Sequence, residues 1–228
     1  MKKYGVLGVI LIILVEINFF LKIQPFANWY FPIIWFSYIL VIDSLVYKIR
    51  KNSLINNHFF HFLGLLILST IFWYIFEFFN VFVQNWEYIG IENIKGITER
   101  EILRIISFST VLPALFETTS LIKSIHLFDR IKLKKKYRIS KSFLYTMIIL
   151  GVLCFFLPVF FPKFTFPLIW LSFLFVLDPI NYINKQPSIL GHLKDGKLAI
   201  PLSLLLAGII LGFLWEFWNY YAVVKWIY

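Results

Sequence analysis

Apolar residues run in long blocks along this chain, separated by short polar or basic segments. Seven blocks approach the roughly 20 residues a helix needs to cross a bilayer. They lie at about 4–21, 31–48, 59–84, 101–122, 142–161, 166–183 and 198–224. Only Pro162-Lys163-Phe164-Thr165, a tight-turn signal, separates the fifth from the sixth. Aromatic clusters at Trp29-Tyr30-Phe31, Trp86/Tyr88 and Trp226/Tyr228 stand at block ends, where a membrane interface places them. The pattern predicts an all-α, polytopic membrane protein with seven transmembrane helices.

The pattern also repeats. Residues 31–47 and 166–182 align without gaps, and eight of the seventeen positions are identical, Asp43/Asp178 among them. Further on, Phe76-Glu77-Phe78-Phe79-Asn80 is echoed by Trp215-Glu216-Phe217-Trp218-Asn219. Apolar positions drift freely among Leu, Ile, Val and Phe, so matched acids and amides in lipid are the informative part. Spans one to three and five to seven then form two copies, and span four joins them. Because three spans plus one restore the chain direction, the copies are parallel in a 3+1+3 arrangement, related by an axis along the membrane normal. The predicted organisation is 1–97 for the first three-helix repeat, 98–141 for the linker helix and basic loop, and 142–228 for the second repeat.

Composition strengthens the membrane reading. The chain of 228 residues is 60% hydrophobic and 15% charged, with a mean hydropathy of +0.80. A soluble domain carries about 25% charged residues. With the N-terminus cytoplasmic, 16 of the 22 Lys and Arg residues fall in inner segments. The net charge of +10 is therefore a loop bias and predicts no nucleic-acid partner. Seven spans with the N-terminus inside and the C-terminus outside place the chain in a cell membrane, of a bacterial inner-membrane type. Met1-Lys2-Lys3 opens a retained first span, because no small-residue cleavage site follows it. The basic run from Lys132 to Lys141 suits topogenesis, with anionic lipid headgroups a second use. Cys154 is the single cysteine, and His58, His61, His126 and His192 scatter over three cytoplasmic loops. Neither set predicts a metal or a cofactor.

Candidate chemistry sits on acids inside the spans. Asp43 and Asp178 lie about 18 Å below the outer ends of their helices, with Glu117 near the same depth. Glu77 and Glu216 lie toward the outer third, near Glu16, and each has an asparagine three residues on, Asn80 and Asn219. That spacing puts carboxylate and amide on one helix face. Such acids are expensive in lipid and are expected to face the bundle interior and share partners or protons. Their bland use is hydrogen bonding between helices. Pro113, one turn before Glu117, is expected to bend span four. Trp73, Trp215 and Trp218 are candidate walls for a hydrophobic substrate, with Asp43 and Asp178 as its polar contacts. No phosphate-binding loop, dinucleotide fingerprint or serine elbow is present in the sequence.

Three resemblances attach to these residues. The 3+1+3 arrangement is similar to that of the SWEET sugar transporters, with Pro32 and Pro167 matched at helix starts. The intramembrane acids, the tandem three-span layout, the segment Gln84-Asn85-Trp86-Glu87-Tyr88-Ile89-Gly90 and Pro113-Ala114-Leu115-Phe116-Glu117 resemble the integral-membrane lycopene cyclase family. That family carries Pro-x-Glu-Glu where this chain has Pro-x-x-x-Glu. The Trp-Glu-Phe-Trp-Asn motif resembles that of bacterial membrane proteins without an assigned activity. The cyclase likeness implies an enzyme acting on an isoprenoid or other lipidic substrate by carboxylate acid–base chemistry. Glu77 and Glu216 are the expected proton donor and charge stabiliser, oriented by Asn80 and Asn219, with Glu117 a further candidate. The alternatives are a small-solute or proton-coupled transporter and a non-catalytic membrane subunit.

Overall fold

The structure is a computed structural model and describes residues 1–134 and 138–228. Lys135 and Lys136 of the basic run therefore lie outside the described residues. Among these, the long helices are α1 (Lys3–Leu21), α2 (Tyr30–Arg50), α4 (Phe59–Val83), α5 (Ile97–Ser109), α6 (Val111–Ser124), α7 (Lys141–Phe160), α9 (Leu168–Ile183) and α11 (Ala199–Tyr221). Short helices α3 (Leu54–Asn57), α8 (Pro162–Thr165) and α10 (Ile189–Lys194) sit in the connections. Six helical stretches are long and apolar enough to cross a membrane, α5 and α6 counting as one stretch from Ile97 to Ser124. The chain is a multi-pass helical membrane protein. Phe60, Phe164 and Phe20, at 85%, 82% and 79% exposed, turn outward as lipid-facing side chains do.

Three details depart from the sequence pattern. The expected sixth span appears as α9, whose 16 residues fall short of a full crossing. α8 occupies the predicted turn, and Phe166 and Pro167 at the predicted start form a bend, so the helix begins only at Leu168. The fourth block is broken at Thr110. Pro113 has no N–H to give the carbonyl one turn back, and Ser109 and Thr110 turn their hydroxyls onto the carbonyls of Ile106 and Ser107. Finally, β1 (Glu87–Ile89) and β2 (Lys225–Ile227) form an antiparallel ribbon in which Glu87 faces Ile227. Both follow the last turn of a long helix, where the backbone needs new partners.

The chain divides into two compact units. Unit 1 holds Met1–Phe76, Trp86–His126 and Leu204–Tyr228. At its centre α2 packs along α1 and α6, burying Ile34, Trp35 and Ile39. Gly8 allows the close approach of α1, since a Cβ there would meet the Ser37 carbonyl. Ser69 of α4 repairs the break in the fourth block. Its hydroxyl donates to the Phe108 carbonyl at 2.6 Å and accepts from the Leu112 N–H at 3.1 Å.

Unit 2 holds Glu77–Asn85 and Leu127–Ser203. There α7 packs along α9, with Gly151 against Phe175 and Val176. Phe155 stands edge-on to Phe79, with ring centroids 4.4 Å apart, and to Phe173 at 5.5 Å.

Ser69 is buried and serves two orphaned backbone groups. Ser69→Ala is expected to lower the unfolding free energy in detergent by about 1–3 kcal/mol, and Ser69→Thr to recover most of it. An unchanged melting temperature in the alanine variant would remove this role.

Candidate functional site: an aromatic pocket and a buried acid

The polar residues of the spans fall into two groups once their partners are known. The first group serves the backbone. Asp43 is fully buried and accepts three hydrogen bonds: from the Tyr4 hydroxyl at 2.6 Å, the Ser53 hydroxyl at 2.9 Å and the Ile55 N–H at 2.9 Å. Asp178 accepts from the N–H groups of Ile189 at 2.6 Å and Leu190 at 2.9 Å. Each aspartate thus closes the first turn of the short helix that follows its span, α3 or α10, where free N–H groups favour a carboxylate. Ile55 and Leu190 both lie twelve residues after their aspartate. Asp43 and Asp178, the expected polar contacts of a substrate, are thus both engaged with donors of the same chain.

The asparagines do similar work at the opposite helix ends. Asn219 donates to the Trp226 carbonyl at 2.9 Å and accepts from the Trp226 N–H at 3.0 Å, which holds β2 against the end of α11. Asn80 accepts from the Asn85 N–H at 2.9 Å. Asn219, expected to orient Glu216, thus serves the strand leaving the helix, whose backbone groups need partners.

The second group has no such duty. Glu117 on α6 is fully buried, and neither carboxyl oxygen has a hydrogen-bond partner. Its carboxyl lies against the Asp43 side chain and the Leu54 backbone. A buried acid left unsatisfied costs the fold free energy and calls for an explanation beyond packing. An apolar groove lined by Leu54, His58, His61 and Phe116 opens beside it, and Leu54 is common to both.

A separate pocket of about 540 Å³, counted out to bulk solvent, is built within unit 1 by α2, α4, α5, α11 and the β ribbon. Its aromatic wall is Phe31, Trp73, Phe108, Trp215 and Trp226. Trp215 is the hub, with ring centroids 5.1 Å from Trp73 and 5.3 Å from both Phe31 and Trp226. Two predicted walls, Trp73 and Trp215, belong to this pocket. Trp218 does not, since it is buried edge-on against Trp35 at 4.9 Å in the core.

A hydrogen-bond relay leaves the pocket at Trp226. Its indole N–H donates to the Tyr228 hydroxyl at 3.2 Å, which donates to Glu216 at 2.9 Å. The Tyr228 ring is 74% exposed, but desolvation of its hydroxyl end pushes the phenol above its ordinary value. The Trp226 N–H opposes that shift and the Glu216 carboxylate adds to it. The phenol therefore keeps its proton through neutral pH. Glu77 is half-buried and belongs to unit 2, whereas Glu216 belongs to unit 1.

Sequence reasoning overlooked Arg104, Phe31 and Trp226. Arg104 carried a usable signal, as a cation inside the fourth apolar block. Trp226 is echoed by Trp86, each followed two residues later by tyrosine. Comparisons with protein-family models, curated proteins and solved structures return no match for this chain.

The two groups respond oppositely to substitution. Asp43→Ala is expected to destabilise the protein by about 2–3 kcal/mol, since it strands buried donors. Glu117→Gln is expected to leave the melting temperature unchanged or raise it, because neither carboxyl oxygen accepts a well-formed hydrogen bond and a buried acid is removed. Equal destabilisation by both variants, in thermal unfolding, would contradict this division.

Proposed function

We propose that the chain is a membrane-embedded enzyme that acts on an isoprenoid or other lipidic substrate held in the aromatic pocket. The observation that carries this reading is the relay from Trp226 through Tyr228 to Glu216. It links a phenol and a carboxylate, through the Trp226 indole, to a pocket walled by three tryptophans. General acid–base groups must reach the reacting atom within hydrogen-bond distance, directly or through one water. On this reading Glu216 and Tyr228 take that role on a substrate that extends past Trp226, with Trp73 and Trp215 as its walls. The lycopene-cyclase resemblance implies the same chemistry, proton transfer to and from a hydrophobic substrate, and leaves the substrate itself to experiment.

The topology proposed with it is seven spans in a 3+1+3 repeat, with the N-terminus cytoplasmic and the C-terminus outside a cell membrane. The biased distribution of Lys and Arg supports the orientation. The matched aspartate bonds to Ile55 and Leu190 support the repeat. So does the antiparallel pairing of β1 with β2, which follow the two Glu-x-x-Asn motifs. On this reading α9 crosses together with α8 and its flanking turns.

One observation favours a second reading, a proton-coupled carrier. Glu117 does not line the pocket, and it stands nine residues and a helix break beyond Phe108, which does. That placement suits an acid that couples protons to a remote ligand.

Lipid extracts of cells with and without the protein separate the two. The enzyme reading predicts altered isoprenoid or lipid species, with turnover reduced about 100-fold or more in Glu216→Gln. An unchanged lipid profile, with solute uptake abolished by Glu117→Gln and untouched by Glu216→Gln, would replace it with the carrier.

A further inference from the structure

The aromatic pocket carries a feature that a wholly apolar substrate does not require. Arg104 lines it from α5, together with Lys225 of β2. A guanidinium inside a membrane span is expensive and marks a ligand or an ion pair. Part of that demand is met by Glu101, which accepts from Arg104 Nη1 at 2.7 Å. The guanidinium also sits 5.9 Å from the centre of the Tyr88 ring. Its Nε–H, however, is buried and has no partner. Leaving an arginine N–H unsatisfied forfeits a charge-assisted hydrogen bond, and a fork with one arm engaged is preorganised for a second acceptor.

The charges at the site are unbalanced in the same direction. Arg104 and Lys225 bring two positive charges, and no carboxylate lines the pocket itself. Glu101 offsets one of them from behind Arg104. The Lys225 ammonium gives one hydrogen bond to the Tyr220 carbonyl, at 3.0 Å, and retains two further donors. The rest of the lining is aromatic or aliphatic, with Asn28 and Ser107 as its uncharged polar residues.

We infer that the pocket's ligand is an anionic amphiphile, whose phosphate or carboxylate head is bound by Arg104 with Lys225 and whose apolar chain lies against Trp73, Trp215 and Trp226. This rests on the lipidic-substrate reading above and narrows it to a chain with a charged end. Hydrogen bonds from Arg104 Nε and from Lys225 fix the head, and the ring wall selects the chain. The site therefore distinguishes an alkyl or isoprenoid phosphate from the corresponding alcohol by the head alone.

The test uses the full chain purified in a nonionic detergent. Two probes of one length, 12-bromododecyl phosphate and 12-bromododecanol, are titrated and binding is read as bromine quenching of tryptophan fluorescence. The phosphate is expected to bind at least about tenfold more tightly than the alcohol. Arg104→Gln brings the phosphate to the alcohol's affinity and leaves the alcohol unchanged, while Arg104→Lys gives an intermediate value. Lys225→Gln, which leaves the span intact, reduces the preference several-fold and serves if Arg104→Gln fails to fold. A brominated phosphatidylglycerol arm separates the sources of the head. Binding equal to the alkyl phosphate assigns a phospholipid headgroup; weaker binding assigns a free phosphomonoester, and both outcomes keep the anionic site. Equal affinity of wild type for phosphate and alcohol overturns the inference while leaving the lipidic pocket standing. So does a preference that survives both Arg104→Gln and Lys225→Gln. Quenching by neither probe overturns both.

Discussion

Backbone hydrogen bonding in a medium without water is the constraint on which the rest of this structure depends. Inside a bilayer every N–H and C=O must find a partner within the protein, and helices meet that demand everywhere except where they stop, break or turn. This chain stops and breaks often, and at each such point a polar side chain takes over. Asp43 and Asp178 close the first turns of α3 and α10. Asn219 and Asn80 receive the backbone leaving α11 and α4. Ser69 bridges the gap between α5 and α6. Matched acids and amides in the sequence are thus explained largely by matched helix ends.

That explanation isolates the polar groups it does not cover. Glu117 is as buried as Asp43 yet accepts no well-formed hydrogen bond, and the Nε of Arg104 is a buried donor without an acceptor. Both are held in place at a free-energy cost that packing alone does not return. They stand in different parts of unit 1, Arg104 in the aromatic pocket and Glu117 beside the α3 turn. The hydrogen bonds from Trp226 to Tyr228 and on to Glu216 start from a wall of the same pocket.

Much of this was legible in the residues. Apolar block lengths place the long helices to within a few residues, because lipid imposes both length and composition. The repeat of Asp43 at Asp178 and of Glu77-Asn80 at Glu216-Asn219 marks positions under a common constraint. What the letters do not say is which atoms those side chains meet. An acid that caps a helix and an acid that moves a proton look alike in sequence, since both are carboxylates in apolar runs. Glu216 and Glu117 were visible as candidates, but only partners separate them from Asp43. The break at Thr110 was half visible, through Pro113, while Ser69, 44 positions earlier, is ordinary until the fold brings it there. The β ribbon escaped notice because three-residue strands have no periodicity to read. Trp218 was grouped with Trp215 by its motif, and only the position of Trp35 shows that it is core.

The central claim is that the pocket around Trp215 is built to hold an amphiphile rather than merely to pack helices. Native mass spectrometry of the protein released from its own membranes tests this most directly. The account predicts one retained lipidic molecule per chain, lost when Trp215→Ala opens the aromatic wall and kept in Trp218→Phe, which alters only the core. A bare chain from gently solubilised membranes, or a bound molecule indifferent to Trp215→Ala, would contradict it.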